Sequence, residues 1–398
     1  MKRVVVGLSG GVDSSVAAYL LKEQGYEVIG MFMINWHNTT GTLAGDCPWS
    51  DDLIFAELVA RKLDIPFRTI DFSKEYGKRV VDYMFGEYQK GRTPNPDVLC
   101  NREVKFDLFA KAALELGADF VATGHYCRKE TIEKNGVEIH RLLAGTDPSK
   151  EQSYFLCQVN QQQLSKALFP IGHLYKSEIR QIAREQGLAT AEKKDSQGIC
   201  FVGKIDLPSF LQQKLQAANG LVIEIDKTST HNPVPIRPNL GNNFSDDELD
   251  AFARHPFYSK NMGKIAGEHA GAHFYTIGQR KGLNIGGRPE PLFVLSTDVV
   301  ENIVFVGQGH DHPGLNRYGL FILENDIHWV RPDLEMHIGE KRFCHVRIRY
   351  RQPLQRACLY KTVKGLYILF EEPQRGITAG QFAAWYNNDE LTGSGVID

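Results

Sequence analysis

Apolar and polar positions in the first 130 residues switch between two periods. Val4-Val5-Val6-Gly7-Leu8 is a short β-branched run, reads as a buried parallel strand, and stops at Gly10-Gly11. Directly afterwards Val16, Ala17, Ala18, Leu20 and Leu21 recur at helical spacing as far as Gly25. Residues 27–34 then read as a second strand, 51–63 as a helix, 67–71 as a third strand, and 73–88 and 106–116 as helices. Residues 120–123 read as a strand ending at Gly124-His125. Such alternation predicts an α/β, doubly wound parallel sheet covered on both faces, with ligands beyond the carboxyl ends of its strands.

Two loop-like segments, 35–50 and 90–97, break the alternation, and loops of this kind inside such a domain are usually functional. A hairpin of 127–133 and 138–143 turning at Asn135-Gly136 interrupts the order next. Helices follow at 161–168 and 176–186, and a loop at 193–201 closes the first domain near residue 205. From about residue 220 short β-runs with turn residues take over, with a segment rich in Asn, Pro and acids at 228–266 that holds one short helix at 246–254. Strands at 320–324, 343–351, 356–363 and 366–371 suggest a small C-terminal β-barrel. The expected divisions are therefore 1–205, a β-rich 206–309 and 310–398.

Composition narrows the class. The 398 residues are 42% hydrophobic with a formal charge of −2, so a polyanionic partner would need a local basic surface. Seven cysteines without a Cys-x-x-Cys pair argue against a disulfide framework and a zinc ribbon. No stretch approaches a membrane span and the first strand begins too early for a signal peptide, which makes the cytoplasm the expected compartment and a membrane role unexpected.

The strongest chemistry lies in Ser9-Gly10-Gly11-Val12-Asp13-Ser14-Ser15, a glycine turn between a strand and a helix N-terminus. Glycines admit a phosphate close to the backbone, and the free N–H groups, the helix dipole and the Ser9, Ser14 and Ser15 hydroxyls would bind its oxygens. Asp13 suits magnesium or a ribose. Met33 and Gly124, at the ends of two strands, fall where an adenine and its ribose would lie, although Met33 would equally serve as core filler. The loop lacks the Gly-Lys-Ser of the Walker motif and resembles the pyrophosphate loop of enzymes that split ATP into AMP and pyrophosphate.

Asp97 and Cys100 follow Asn95-Pro96, where a new helix would place a carboxylate and a thiol on one side of a turn and lower the thiol pKa. Cys200 sits in a glycine-containing loop after two lysines. Cys47, Cys127, Cys157, Cys344 and Cys358 read as small buried hydrophobes. Residues 341–364 hold eight Lys or Arg and no acid, and His345, Arg347, Arg349 and Arg351 alternate with Val346, Ile348 and Tyr350. A strand would thus turn its cations to one face, a candidate surface for a phosphate backbone. His310-Asp311-His312 reads as a polar turn rather than a metal site.

Together with Ala122-Thr123-Gly124-His125-Tyr126, Lys150-Glu151-Gln152-Ser153-Tyr154, Asp195-Ser196-Gln197-Gly198-Ile199-Cys200-Phe201 and Tyr275-Thr276-Ile277-Gly278-Gln279-Arg280-Lys281-Gly282, these motifs resemble the bacterial tRNA-specific 2-thiouridylase family of the PP-loop superfamily over nearly the whole chain. The resemblance implies an ATP-dependent transfer of sulfur to C2 of the wobble uridine of tRNA. It implies that Gly7, Leu8, Ser9, Gly10, Gly11, Val12, Asp13, Ser14, Met33 and Gly124 hold ATP with Mg2+, that Cys100 is the nucleophile, and that Cys200 carries a persulfide. Asp97 would be a general acid or base, and Asn95, Pro96 and Asp97 would meet the target base. Contacts to tRNA would fall to His125, Lys150, Glu151, Gln152, Arg349, Tyr350 and Gln381.

Further partners implied are a sulfur-donor protein, either a desulfurase or a relay protein, and the active form expected is a monomer. Residues 228–264 depart from the family pattern as an insertion. The competing reading is an AMP-forming ligase that uses the same loop on a small molecule. A binding module without turnover would leave that loop unused.

Overall fold

The computed structural model describes residues 1–37, 49–195, 207–233 and 236–398. Its first sheet holds five parallel strands in the order β3-β2-β1-β4-β7: β1 Arg3–Gly7, β2 Glu27–Ile34, β3 Phe67–Asp71, β4 Phe120–Ala122 and β7 Ala167–Leu168. Val4, Val5 and Val6 are wholly buried, which explains the unbroken apolar run of β1, since helices cover both faces of a parallel sheet. Helices α1 (Val12–Glu23) and α2 (Ser50–Lys62) pack on one face around Val16, Ala17, Val59 and Ala60.

Ala167 and Leu168 were expected at the end of a helix. A capping box at Asn160 and Gln163 starts that helix, but it stops at Lys166, and Ala167 turns extended to pair with Val121 as the fifth strand.

The predicted hairpin forms, as β5 (Cys127–Lys134) and β6 (Val137–Ala144), turning at Asn135 and Gly136 with positive φ. Its destination was not expected. It leaves the parallel sheet and joins the antiparallel sheet built by the end of the chain. That nine-stranded sheet contains β12 (Asn316–Leu323), β13 (Ile327–Trp329), β14 (Lys341–Arg347), β15 (Gln355–Lys361), β16 (Gly365–Arg375), β17 (Phe382–Asn387) and β18 (Glu390–Val396), with β6 pairing to Glu390 and Leu391 of β18. Between them a four-stranded sheet, β10-β11-β8-β9, forms from β8 Gly220–Glu224, β9 Lys264–His269, β10 Leu292–Asp298 and β11 Ile303–Gln308.

The first and last units share one core, in which Val5, Met33 and Cys100 belong to the same cluster as Leu142, Phe382 and Leu391. Buried hydrogen bonds cross the same seam: Tyr154 donates to the Phe382 carbonyl (3.0 Å), and Ser394 Oγ to that of Cys157 (2.6 Å). The expected helix in the 228–264 segment forms at Asp246–Ala253, with a Ser245–Glu248 capping box. It seats Leu249 and Ala253 on Tyr360, Tyr367 and Leu369 of the C-terminal sheet, so that segment ties the central unit to the last one.

Charges fasten the grafted hairpin. Arg141 donates to Glu390 (2.9 Å), Lys134 to Asp333 (2.9 Å), and Arg331 grips Asp333 through two bonds of 2.8 and 2.9 Å. Hydrogen bonding from Arg331, aided by Lys134 and opposed by burial, holds the Asp333 carboxyl at about 2, against 3.8 ordinarily. Because the folded value is the lower one, the stability it contributes is complete above about pH 4 and is lost as pH falls toward 2. Asp333→Asn should therefore flatten the loss of stability between pH 4 and 2 by up to about 2 kcal/mol, read by urea unfolding at stepped pH.

Candidate active site

The loop after β1 has the geometry of an anion cradle. The side chains of Leu8 and Val12 are buried in the core below it. Gly10 has φ +71, and a Cβ there would stand 2.1 Å from the Asp52 carbonyl oxygen. Gly11 is the N-cap of α1 and leaves the first N–H groups of the helix without a side-chain cap. Ser14 Oγ accepts from Ser9 N (3.1 Å), lies 3.2 Å from Ser9 Oγ and donates to the Gly11 carbonyl (3.1 Å), folding the hydroxyls around the turn. Gly124 closes one side, where a Cβ would lie 2.7 Å from Ser14 N. Met33 is buried, and its Cε would be 3.4 Å from a Cβ on Gly7.

Two lysines converge on this cradle. Lys176 donates to both carboxylate oxygens of Asp13 (2.8 and 2.9 Å) and pairs with Asp195 (2.8 Å). Lys193 donates to the Gly10 carbonyl (3.0 Å) and ion-pairs with Asp52. Tyr126 adds a 2.6 Å bond to Asp13, and burial followed by that carboxylate raises the phenol pKa. Sequence reading passed over Lys176. Its signal was available, since a lysine in the first turn of a helix opposes the helix dipole and needs a partner such as Asp13. Burial pushes Asp195 up, but bonds from Lys150 and Lys176 hold it at about 2.

The second half of the site is a helix entered from a clamped loop. Asn95 caps it by accepting from Val98 N (3.3 Å), and Pro96 occupies its first position. The helix Pro96–Cys100 runs into a π-helical stretch, Asn101–Leu108, and then Phe109–Glu115. Such wide turns frequently accompany functional sites. Cys100 lies in this helix, as the sequence predicts, and is fully buried in the cluster that contains Met33.

The preceding loop is held from both sides. Thr93 N donates to the Ala379 carbonyl (2.8 Å), Gln381 Nε2 donates to the carbonyls of Thr93 (2.9 Å) and Pro94 (3.2 Å), and Thr93 Oγ1 meets Thr276 Oγ1 at 3.1 Å.

Comparison with known proteins matches the same three units. Residues 2–204 fit the tRNA methyl transferase HUP domain, 244–308 the tRNA methyl transferase PRC-barrel domain and 321–397 the aminomethyltransferase beta-barrel domain. Over 397 residues, and 100% of both chains, the protein is 59% identical to the tRNA-specific 2-thiouridylase MnmA of Christiangramia forsetii. The chain belongs to the tRNA-specific 2-thiouridylase family. Its fold is accordingly a PP-loop α/β domain, a small central β domain and a C-terminal β-barrel. The family relative of Flavobacterium johnsoniae is 58% identical over 100% of both chains, and that of Halalkalibacterium halodurans 44% over 100% of this chain and 94% of its own. A 4-thiouridine synthetase solved with RNA and ATP covers 53% of this chain and 50% of its own at 17% identity, with a TM-score of 0.33.

Several residues expected to meet tRNA have partners within the protein. His125 turns inward, 2.7 Å from Thr123 Oγ1 and between Phe106 and Phe169, and burial lowers its pKa well below the ordinary value. Glu151 is buried, accepting from Arg347 (2.6 Å) and Ser153 N (2.5 Å). Lys150 pairs with Asp195 (2.6 Å), Gln152 accepts from Tyr126 N (3.0 Å), and Tyr350 packs on Phe155 with ring centroids 4.3 Å apart.

The single cationic strand face needs correcting. β14 ends at Arg347, whose guanidinium turns into the seam toward Glu151 and Tyr386. Arg349 and Arg351 lie in the turn beyond the strand, Arg351 at φ +65. Alternation is the same in sequence whether a side chain meets water or another domain, and here Arg347 meets the first domain while His345 stays exposed.

Cys47 and Cys200 lie outside the described residues. Burial raises the thiol pKa of Cys127, of Cys157 to about 12, and of Cys344 and Cys358, as expected of core cysteines. His312 is buried and caps a short turn through Gly314 N (3.1 Å), and among the described residues no three His, Cys, Asp or Glu gather around a metal position. Among those residues, too, no helix is long and apolar enough to cross a membrane.

Gly124→Ala should push Asp13 and Ser14 out of the cradle and cost about 1–3 kcal/mol, measured by chemical unfolding. Arg347→Met leaves Glu151 buried and unpaired and should cost about 3–5 kcal/mol, most of which a second change, Glu151→Leu, should restore in the same measurement.

Proposed function

We propose that this protein catalyses ATP-dependent 2-thiolation of the wobble uridine of tRNA. The observation that carries the reading is full-length identity of 59% to a tRNA-specific 2-thiouridylase, joined to a glycine cradle open at the N-terminus of α1. The cradle fits a triphosphate: the N–H groups at the start of α1 and the Ser9 and Ser14 hydroxyls would bind its oxygens, with Lys176 and Lys193 adding positive charge. Asp13, expected on magnesium, is satisfied by Lys176 and Tyr126. A magnesium ion would therefore be carried by the triphosphate, and Asp13 would orient Lys176.

The C2 oxygen of uridine is a poor leaving group in a urea-like carbonyl, so the oxygen must first be activated. It attacks the α-phosphorus, the bond to pyrophosphate breaks, and the loop amides stabilise the departing anion. Asn95, Pro96 and Asp97, at the helix start, would receive the base, turned out of its stack. The outer sulfur of a Cys200 persulfide then attacks C2 and AMP leaves. Cys100 thiolate attacks Cys200 Sγ and breaks the persulfide S–S bond, leaving the outer sulfur on C2. The transferred sulfur gains the electron pair that the two cysteines lose on forming their disulfide, and a dithiol reductant restores them.

Alternatively Cys100 attacks first and releases hydrosulfide, with the same balance. A sulfur-donor protein would recharge Cys200. Asp97 would move the proton in either route. Gln381 holds the clamped loop and Arg349 reaches the Ile277 carbonyl, and with Tyr350 they would contact the tRNA.

The test is to incubate the protein with ATP, magnesium, sulfide and unmodified tRNA, and to look for 2-thiouridine in the digested RNA by mass spectrometry. The parent should form it. With a persulfide-charged donor as the sulfur source, Cys100→Ala and Cys200→Ala should each fall by at least about a thousandfold. Formation of AMP without thiouridine, on a small acid or amine, would sink the proposal and favour a ligase.

A further inference from the structure

The segment Tyr275–Leu283 has no place in the chemistry above, yet it is built with care. Gly278 and Gly282 take positive φ of 82° and 87°. Gly278 N donates to the Val294 carbonyl (2.8 Å), and Val294 N to that of Gln279 (3.0 Å). The Gln279 side chain accepts from Thr276 N (3.0 Å) and donates to the Lys281 carbonyl (2.8 Å), while Tyr275 donates to the Gly282 carbonyl (3.3 Å). Polar groups inside the turn are thus bonded, and its two cations, Arg280 and Lys281, are exposed.

Its position is equally specific. Thr276 touches Thr93 of the clamped loop, Arg349 donates to the Ile277 carbonyl (3.4 Å), and a Cβ on Gly278 would lie 3.8 Å from Gly376. Next to Gly376 stands Arg375, its guanidinium 4.4 Å from the Phe293 ring centre. Arg280 also lines a groove of about 330 Å3 with Leu283, Asn284 and Pro291.

Some arginines around this seam are paired, as Arg92 is with Glu87 and Asp398, Arg288 with Glu224 and Arg347 with Glu151. Arg280, Lys281, Arg349, Arg351 and Arg375 have no carboxylate within 4.0 Å among the described residues. In a chain of net charge −2 these cations leave positive charge uncompensated by carboxylates near the meeting of the three units, with Arg375 acting against the charge of Arg349, and a polyanion would compensate it.

We propose that the Gly278–Gly282 turn is an RNA-binding element, in which Arg280 and Lys281, continued by Arg375 on the barrel, bind phosphates of the substrate tRNA backbone. The inference rests on the thiolation reading and adds the central domain to its substrate surface. Contacts of this kind carry no base specificity and set the register in which the wobble base meets Asn95, Pro96 and Asp97 across the Thr93–Thr276 contact.

The test is tRNA binding by fluorescence anisotropy between 50 and 200 mM KCl, comparing the full-length parent with Arg280→Ala/Lys281→Ala. The double variant should bind about tenfold more weakly at 100 mM, and the slope of log affinity against log salt should be shallower by about 1 to 2. Exchange of the two cations, Arg280→Lys/Lys281→Arg, should restore most of the slope. Unchanged affinity, or weaker binding with an unchanged slope, would overturn the proposal. If the double variant fails to fold, Lys281→Glu alone serves, with the same loss expected. A parent that binds no tRNA at all would overturn the thiolation reading, and this one with it.

Discussion

The placement of the helix that carries Asp97 and Cys100 depends on backbone hydrogen bonds it does not make for itself. In the loop before it, the Thr93 amide and the carbonyls of Thr93 and Pro94 are met by Ala379 and Gln381 of the barrel. Leaving such groups unpaired in a buried seam costs roughly 1–3 kcal/mol each, so the barrel fixes where the loop can lie. The central domain bears on the same loop through Thr276, and through Val299, which a Cβ on Gly91 would approach to 2.9 Å. The site is therefore a property of the assembled chain.

What the sequence revealed follows from the range of the interactions concerned. The phosphate cradle was legible residue by residue, because a strand, two glycines and a helix start are written in consecutive positions. The Asn95 cap and Pro96 were legible for the same reason. The split of Ala167 and Leu168 from their helix was not, because their partners, Val121 and Ala122, lie 46 residues earlier. The hairpin was read correctly as a hairpin, since its turn is local, but the sheet it joins was not legible, since strand pairing is decided by residues at the far end of the chain.

The charged strand shows a different limit. Arg347 is one of a row of cations whose spacing is right for a strand and whose exposure depends on what lies opposite. A single buried carboxylate, Glu151, converts it from a surface residue into a tie between domains. Lys176 is the converse. Its place in the first turn of a helix, against the dipole, marks it as needing a partner, and only the fold shows that the partner is Asp13, 163 residues away.

The hairpin of β5 and β6 also sets the order in which the chain can be completed on a ribosome. Its outer edge is closed by Glu390 and Leu391 of β18, and the Arg141–Glu390 bond spans 249 residues. At roughly 5–20 residues per second, that edge waits on the order of ten to fifty seconds for its partner. Through that interval the strand edge stays open, the state most exposed to pairing with a neighbouring nascent chain. Glu130, Glu133, Lys134 and Glu138 crowd that hairpin with charge, which discourages such pairing until the last strand arrives.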